Sequence, residues 1–454
     1  MSEKLFICDN CGNEFPRWAG RCDGCGEWNT LKEVAKKDLE AMRGVESDNF
    51  LGSAAIVTNL RAAELSGERL VTGWPEWDHF LGGGIVVGSI SLFGGEPGIG
   101  KSTLMLQISD ILIKKNKRVL YVSGEESLMQ VGGRAQRLGL SGDKIDFLGG
   151  VTLEQLESLL SKEKYDFLVI DSIQTLVSNK ISSGMGTVTQ IRFCASRLMQ
   201  LAKNNNITIF LVGHVTKAGE VAGPKVLEHL VDAVIYFEGQ RSSDLRVIRA
   251  LKNRYGSTDE TGVFVMTENG LESVTDISKM FLAERKTGIP GSAVGVALEG
   301  TRPFLVEIQA IADKTVFGNP RRVSAGIETA RLSMLLAVMG KRVGIDIYDK
   351  DIYLNVVGGF KLKDRSTDLG VVVALASVIL DRTVGENMAF IGEVGLLGEI
   401  RAVKSMEKRI REATSMGFTK VFIPRMKNLP AKQVVMVDEL KEVLGLIFTN
   451  NNNK

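Results

Sequence analysis

Gly95-Glu96-Pro97-Gly98-Ile99-Gly100-Lys101-Ser102 satisfies the spacing G-x-x-x-x-G-K-[S/T] and runs on into Thr103. Glycines at 95, 98 and 100 let the backbone curl until its N–H groups point at phosphate oxygens. Lys101 can then reach the β- and γ-phosphates of ATP, and the Ser102 hydroxyl can complete the shell of a Mg²⁺ ion. Residues 95–103 are therefore the expected nucleotide cradle. The alternative is a chance glycine turn. Against it, an apolar run at 88–93 precedes the loop and an apolar-periodic stretch at 103–114 follows it, the strand and helix that phosphate binding needs.

Two acids stand where they could serve such a site. Phe167-Leu168-Val169-Ile170 delivers Asp171, placed to hold Mg²⁺, and Leu120-Tyr121-Val122-Ser123-Gly124 delivers Glu125 and Glu126. Glu125 is preferred over Glu126 to orient the attacking water; an acid after a strand can equally be a helix cap. His214, within Gly213-His214-Val215-Thr216-Lys217, is a candidate γ-phosphate sensor or a locally satisfied histidine. Lys252 and Arg254, one residue apart before Gly256, could grip a phosphate together or decorate a solvated turn. Four of the five cysteines form Cys8-x-x-Cys11 and Cys22-x-x-Cys25, whose thiolates suit tetrahedral Zn²⁺, with a disulfide framework as the alternative. Such a module could grip DNA, a partner or its own chain. Cys194 reads as core packing.

These groups need a scaffold. Apolar runs at 90–93, 119–122, 167–170, 208–212, 233–237 and 245–251 read as strands; 101–114, 128–138, 153–161 and 187–203 read as helices. Their alternation predicts an α/β core with a mostly parallel sheet, binding ligands at the strands' carboxyl ends. The expected division is a zinc module at 1–30, a linker at 31–58, an ATPase domain at 59–276, a linker at 277–289 and a further domain at 290–454. A net charge of +2 does not announce a nucleic-acid partner, so any basic surface is local. No run of about 18 apolar residues and no signal-peptide pattern is present, which points to the cytoplasm and reduced thiols.

The approach Thr72-Gly73-Trp74, Asp78 and Leu81-Gly82-Gly83-Gly84 resembles the RecA/DnaB-type ATPase core. With the cysteine pairs, Gly124-Glu125-Glu126-Ser127 and Lys252-Asn253-Arg254-Tyr255-Gly256, the chain resembles the RadA (Sms) family of bacterial DNA repair ATPases. Asp364-Arg365-Ser366-Thr367-Asp368-Leu369-Gly370 and the stretch 392–401 resemble the proteolytic domain of Lon, an α+β fold. The resemblance implies a DNA-dependent ATPase and helicase of recombinational repair. Such proteins form a ring, a hexamer, that moves on single-stranded DNA and drives branch migration of recombination intermediates, with the RecA recombinase as partner. It turns Lys252 and Arg254 into cations acting on a neighbouring subunit's ATP, and Lys101 and Asp171 into the nucleotide-site lysine and acid.

On the Lon pattern, Asp368 falls where the nucleophilic serine belongs and Glu407 where the lysine belongs; Ser366 and Lys404 lie off register. The domain is thus expected to be proteolytically inactive, a scaffold for assembly and duplex DNA. Arg321, Arg322, Lys341, Arg342, Lys361, Lys363 and Arg365 are candidates for its DNA face, or are simply solvated. Loops at 178–189 and 217–225 could be plain flexible connections; the resemblance makes them equivalents of the loops that hold single-stranded DNA in RecA-like rings, so Lys180 and Lys217 are expected to meet DNA phosphates. Two rival readings are an ATP-dependent protease and a nucleotide-gated switch ring indifferent to DNA.

Overall fold

The computed structural model describes residues 5–8, 13–34, 68–214, 227–239, 244–274, 276–315, 318–359, 361–362, 364–427 and 432–448, without the side chains of Asp143 and His214. Cys11, Lys217, Lys363 and the loop 217–225 lie outside these residues. Two compact units divide the chain, Met1–Thr275 and Asp276–Lys454.

The first unit begins with a ribbon of β1 (Leu5–Cys8), β2 (Glu14–Phe15) and β3 (Leu31–Val34), in the order β2-β1-β3. Because Leu5↔Val34 and Cys8↔Leu31 are paired, the ribbon runs through Val34; composition alone ends it at residue 30 and assigns 31–34 to a linker. After a short pair, β4 (Arg69–Leu70) and β5 (Ile85–Val86), which brackets α1 (Pro75–Phe80), comes the central sheet. Its elements are β6 (Ile90–Gly95), α2 (Lys101–Lys114), β7 (Val119–Ser123), α3 (Leu128–Arg137), β8 (Asp146–Gly149), α4 (Leu153–Lys162), β9 (Phe167–Asp171), α5 (Val188–Asn205), β10 (Thr208–His214), β11 (Ala233–Gly239), β12 (Leu245–Asn253), β13 (Thr261–Thr267) and β14 (Gly270–Ser273).

The nine strands lie in the order β14-β13-β12-β11-β6-β10-β9-β7-β8. From β11 to β8 the pairs are parallel; β12, β13 and β14 extend the sheet antiparallel. The central strands are buried throughout, because helices cover parallel strands on both faces. Ile90, Leu92, Leu168, Ile170, Leu198 and Leu211 fill one layer, and Phe93, Trp77, Leu104, Tyr121, Phe167 and Phe210 the other. Capping boxes at Ser127–Gln130 and Thr152–Gln155 start α3 and α4, each contributing about 1 kcal/mol.

The second unit opens on α6 (Ile277–Leu282), which packs on its sheet, so this stretch belongs to the unit and is not the linker that composition suggests. Then follow β15 (Ser292–Glu299), β16 (Arg302–Lys314), β17 (Arg322–Ala325), α7 (Thr329–Val338), β18 (Lys350–Val356), α8 (Asp368–Ile379), β19 (Met388–Phe390), β20 (Glu393–Val394), β21 (Ile400–Arg401), α9 (Met406–Ser415), β22 (Lys420–Pro424), β23 (Val434–Val437) and α10 (Leu440–Phe448). Seven of these strands form a mixed sheet in the order β17-β18-β16-β15-β19-β22-β23. α8 is buried almost all round, in keeping with its apolar sequence.

Candidate functional site

β6 ends at Gly95, the loop turns through Gly98 (φ 78°) and Gly100 (φ 115°), and α2 starts at Lys101. Both φ values suit glycine alone, and a Cβ on Gly100 would meet Met266 Cε at 2.5 Å. Ser102 and Thr103 lie half-buried on the helix's first turn, the end of a helix that favours an anion. Lys101 is 4% exposed, and its Nζ donates to the carbonyls of Gly95 (2.9 Å) and Glu96 (3.0 Å). Burial pushes its pKa down to about 8, against the opposing pull of Asp171 and Glu125. Two neutral carbonyls are modest partners for an ammonium, so triphosphate oxygens can replace them.

Asp171 closes β9 and pairs with Ser123 at the end of β7. It is buried, and the fully buried Tyr121 donates a 2.6 Å hydrogen bond to its Oδ2. Just beyond β7 the two neighbouring glutamates differ. Arg134 of α3 holds Glu126 with two hydrogen bonds, Nη1 to Oε2 (2.7 Å) and Nη2 to Oε1 (2.6 Å). Glu125 is exposed, accepts a 2.5 Å bond from the Ser172 hydroxyl, and lies close enough to act electrostatically on Lys101. Geometry thus separates two acids that spacing alone could scarcely rank. The backbone of His214 pairs with Gly95, so β10 brings that strand end beside the loop.

Lys252 and Arg254 stand elsewhere. Asn253 pairs with Ala233, Ala233 with Ser91, and the carboxylate of Asp232 joins Arg254 Nη1 (Oδ1, 3.2 Å) to the amide of Ile90 (Oδ2, 3.1 Å). Both cations therefore sit at the amino end of β6, about 16 Å along the strand from Gly95, farther than a side chain spans. Lys252 Nζ donates to the carbonyls of Glu228 (2.6 Å) and Val231 (2.8 Å), while Arg254 is half exposed. From β12, Arg246 braces the phosphate loop as well, its Nε donating to Ile99 O at 3.1 Å. No local spacing reveals Arg246, Tyr121 or Ser172, because each acts across a strand pairing.

In the ribbon the thiols of Cys8, Cys22 and Cys25 converge within 4.8 Å of one another, with Cys8 and Cys25 Sγ atoms 3.6 Å apart. Edges of a tetrahedral Zn–S₄ site measure about 3.8 Å for 2.3 Å bonds. The cluster fits zinc and is far too open for disulfides. Cys194 is fully buried in α5, and burial pushes its thiol up to about 12.

In the second unit Asp368 opens α8, buried, with Arg331 hydrogen-bonded to both of its oxygens and Val394 N donating at 3.3 Å. Burial raises its pKa despite the arginine. Ser366 is also buried; its hydroxyl lies 2.8 Å from both Val296 O and Asp364 Oδ2, sharing its one hydrogen between them, and accepts from Arg409 at 2.7 Å. Lys404 and Glu407 are exposed. Of the basic candidates, Arg321, Lys341, Arg342, Lys361 and Arg365 are exposed and Arg322 is half-buried; Arg365 pairs with Glu393 (2.8 Å) and Arg342 Nε donates to Leu396 O (3.4 Å). Lys180 is exposed on a loop anchored by Glu154 and by the buried Gln190, whose amide NH2 shares its two hydrogens among the carbonyls of Ser178, Ile181 and Ser183.

A phosphate loop at the head of a parallel sheet, acids at two further strand ends and a thiol ribbon upstream define a zinc-ribbon P-loop ATPase, using ATP, Mg²⁺ and Zn²⁺. Residues 6–33 match a zinc-ribbon family described as a rubredoxin metal binding domain, 59–220 an AAA domain, and 295–427 the ChlI subunit of Mg-chelatase. DNA repair protein RadA of Bacillus subtilis is 46% identical over 424 residues, 93% of each chain. Those of Listeria monocytogenes (45%, 97% of each chain) and Streptococcus pyogenes serotype M1 (44%, 98% of each chain) are similar over still more of the sequence. The chain belongs to the RadA family of DNA repair ATPases. Among the described residues, no helix is long and apolar enough to cross a membrane.

Proposed function

We propose that this protein is a ring-forming, DNA-dependent ATPase and helicase of recombinational repair. It moves on single-stranded DNA in the cytoplasm and promotes branch migration, with the RecA recombinase as partner and a hexamer as the working assembly. Residues 95–103 cradle the triphosphate, Ser102 and Asp171 hold Mg²⁺, and Glu125 orients the attacking water. Held there, magnesium would supply charge neutralisation for the phosphates. Lys101 replaces its carbonyl partners with phosphate oxygens, and Arg246 keeps the loop in shape.

The observation that carries the reading is the position of Arg254. A half-exposed guanidinium at the end of the sheet remote from its own phosphate loop can stabilise a transferring phosphoryl group only on another subunit. Lys180, exposed on its braced loop, supports contact with DNA phosphate, and Lys217 is assigned the same role. The C-terminal domain serves as a Lon-like, proteolytically inactive scaffold: Asp368 and Ser366 are locked by Arg331 and Arg409, and neither could act as an activated nucleophile.

Mixing two inactive variants tests the reading. Lys101→Ala and Arg254→Ala should each fail to hydrolyse ATP alone. Mixed at equal concentration, they should recover a fraction of wild-type turnover, through interfaces pairing an intact loop with an intact arginine. A mixture as dead as its parts would overturn the trans assignment. Turnover unchanged by single-stranded DNA at fixed salt would favour a nucleotide switch, and ATP-stimulated casein digestion a protease.

A further inference from the structure

We propose that Ser172 is the positioning residue for water activation in ATP hydrolysis, its hydroxyl holding the Glu125 carboxylate in place; this rests on the reading of Glu125 given above. Ser172 is fully buried and follows Asp171 directly; its Oγ donates to Glu125 Oε1 at 2.5 Å. A buried serine hydroxyl usually finds a partner in its own backbone. This one reaches across to the end of a different strand.

Glu125 is exposed, so the bond is not needed to compensate for burial. A glutamate side chain samples many rotamers in solution, and ordering it costs conformational entropy. The hydroxyl selects one arrangement out of that set, on the side where the carboxylate acts on Lys101.

The surrounding backbone is built to hold that alignment. Gly124 N donates to Asp171 O at 3.1 Å, continuing the Ser123–Asp171 pairing beyond the strands. A Cβ on Gly124 would lie 2.2 Å from Thr175 Oγ1, so the two segments meet with no room for a side chain. Thr175 Oγ1 in turn donates to Ser172 O at 2.8 Å, fixing the turn that carries the hydroxyl. The neighbouring Glu126 is fastened to Arg134, so the chain on the far side of Glu125 is pinned as well. Ser172 also opens the segment leading to the loop of Lys180. Any displacement of that segment moves the hydroxyl and, with it, the water-orienting carboxylate.

The test is steady-state hydrolysis by the full-length protein with single-stranded DNA, alongside affinity for a fluorescent ATP analogue. Ser172→Ala should lower kcat by about 10- to 100-fold, the effect of misplacing a reacting group by an ångström. KM and analogue affinity should stay within about twofold. Ser172→Thr, which keeps the hydroxyl, should restore most of the rate; if its methyl abolishes analogue binding, Ser172→Cys takes its place and should give an intermediate rate. In a Glu125→Gln background, itself expected to bind the analogue but hardly turn over, adding Ser172→Ala should change nothing further. A wild-type kcat in Ser172→Ala, loss of analogue binding in parallel with rate, or an equal further loss in the Glu125→Gln background would each overturn the proposal. Full turnover by Glu125→Gln alone would instead remove the reading on which it rests.

Discussion

Tyr121 and Asp171 form a fully buried donor–acceptor pair: the phenol, 0% exposed, gives its hydrogen to Asp171 Oδ2 at 2.6 Å. Burial and the adjacent carboxylate push the Tyr121 pKa well above its ordinary value, so it stays a donor. One carboxylate oxygen is thereby fixed, and the other is left to face a cation. Tyr121→Phe should cost about 1–3 kcal/mol of stability, because Oδ2 loses its donor in a buried place. It should also weaken Mg²⁺-dependent hydrolysis more than nucleotide binding measured without Mg²⁺. Thermal melts and magnesium titrations check both, and an unchanged magnesium requirement would refute the orienting role.

The lowered pKa of Lys101, about 8, predicts a definite pH response. Triphosphate oxygens favour the ammonium form, so binding ATP near and above pH 8 takes up a proton. Affinity should therefore fall as pH climbs from 8 towards 10, by at most about tenfold per unit. Calorimetry in two buffers of different ionisation heat measures the uptake directly. Affinity flat from pH 7 to 10 would contradict it. Lys101→Ala should abolish hydrolysis and unwinding together, and unwinding that survives would sink the motor.

Arg331→Ala should destabilise the C-terminal unit by about 3–5 kcal/mol, since it leaves the buried Asp368 charge without its partner. Asp368→Ser restores the hydroxyl of the Lon pattern but strands Arg331. We expect a less stable protein with no casein-digesting activity. Digestion by that variant would mean that the scaffold retains catalytic machinery beyond the residues named above.

Among the described residues the ribbon's apolar core is small: Ile7 with Val34 and Leu5, and Leu31 with Phe6, Phe15 and Ala19 around the thiols. Its fold should depend on zinc. A chelator should release one zinc per chain and abolish amide protection from Leu5 to Val34, while ATP turnover without DNA persists. Protection that survives complete zinc loss would argue against a structural metal.

Much of the first unit is legible because its signals are local. Gly100 and the periodicity after it define α2 at Lys101–Lys114 in sequence and structure alike. Asp171 and Glu125 announce themselves as acids closing apolar runs. Other features depend on pairing that local spacing does not carry. β8 and β14 have only four residues each, too few for a period, and α1 only six. Lys252 and Arg254 read as a phosphate-gripping pair near a glycine, yet their distance from the loop emerges only from the antiparallel register of β11 with β12. Ser172 looks like part of a turn until β9 is set beside β7.

Asp232 leaves Arg254 little independent travel. One buried carboxylate grips the guanidinium and, through its second oxygen, the first amide of the strand that ends in the phosphate loop. On the trans assignment proposed for Arg254, a tug on its guanidinium would be felt at the root of that strand, and a loop that shifted on losing its γ-phosphate would pull back along the same line. Each subunit would thus register its neighbour's chemistry as mechanical load on its own, with no dedicated messenger between them.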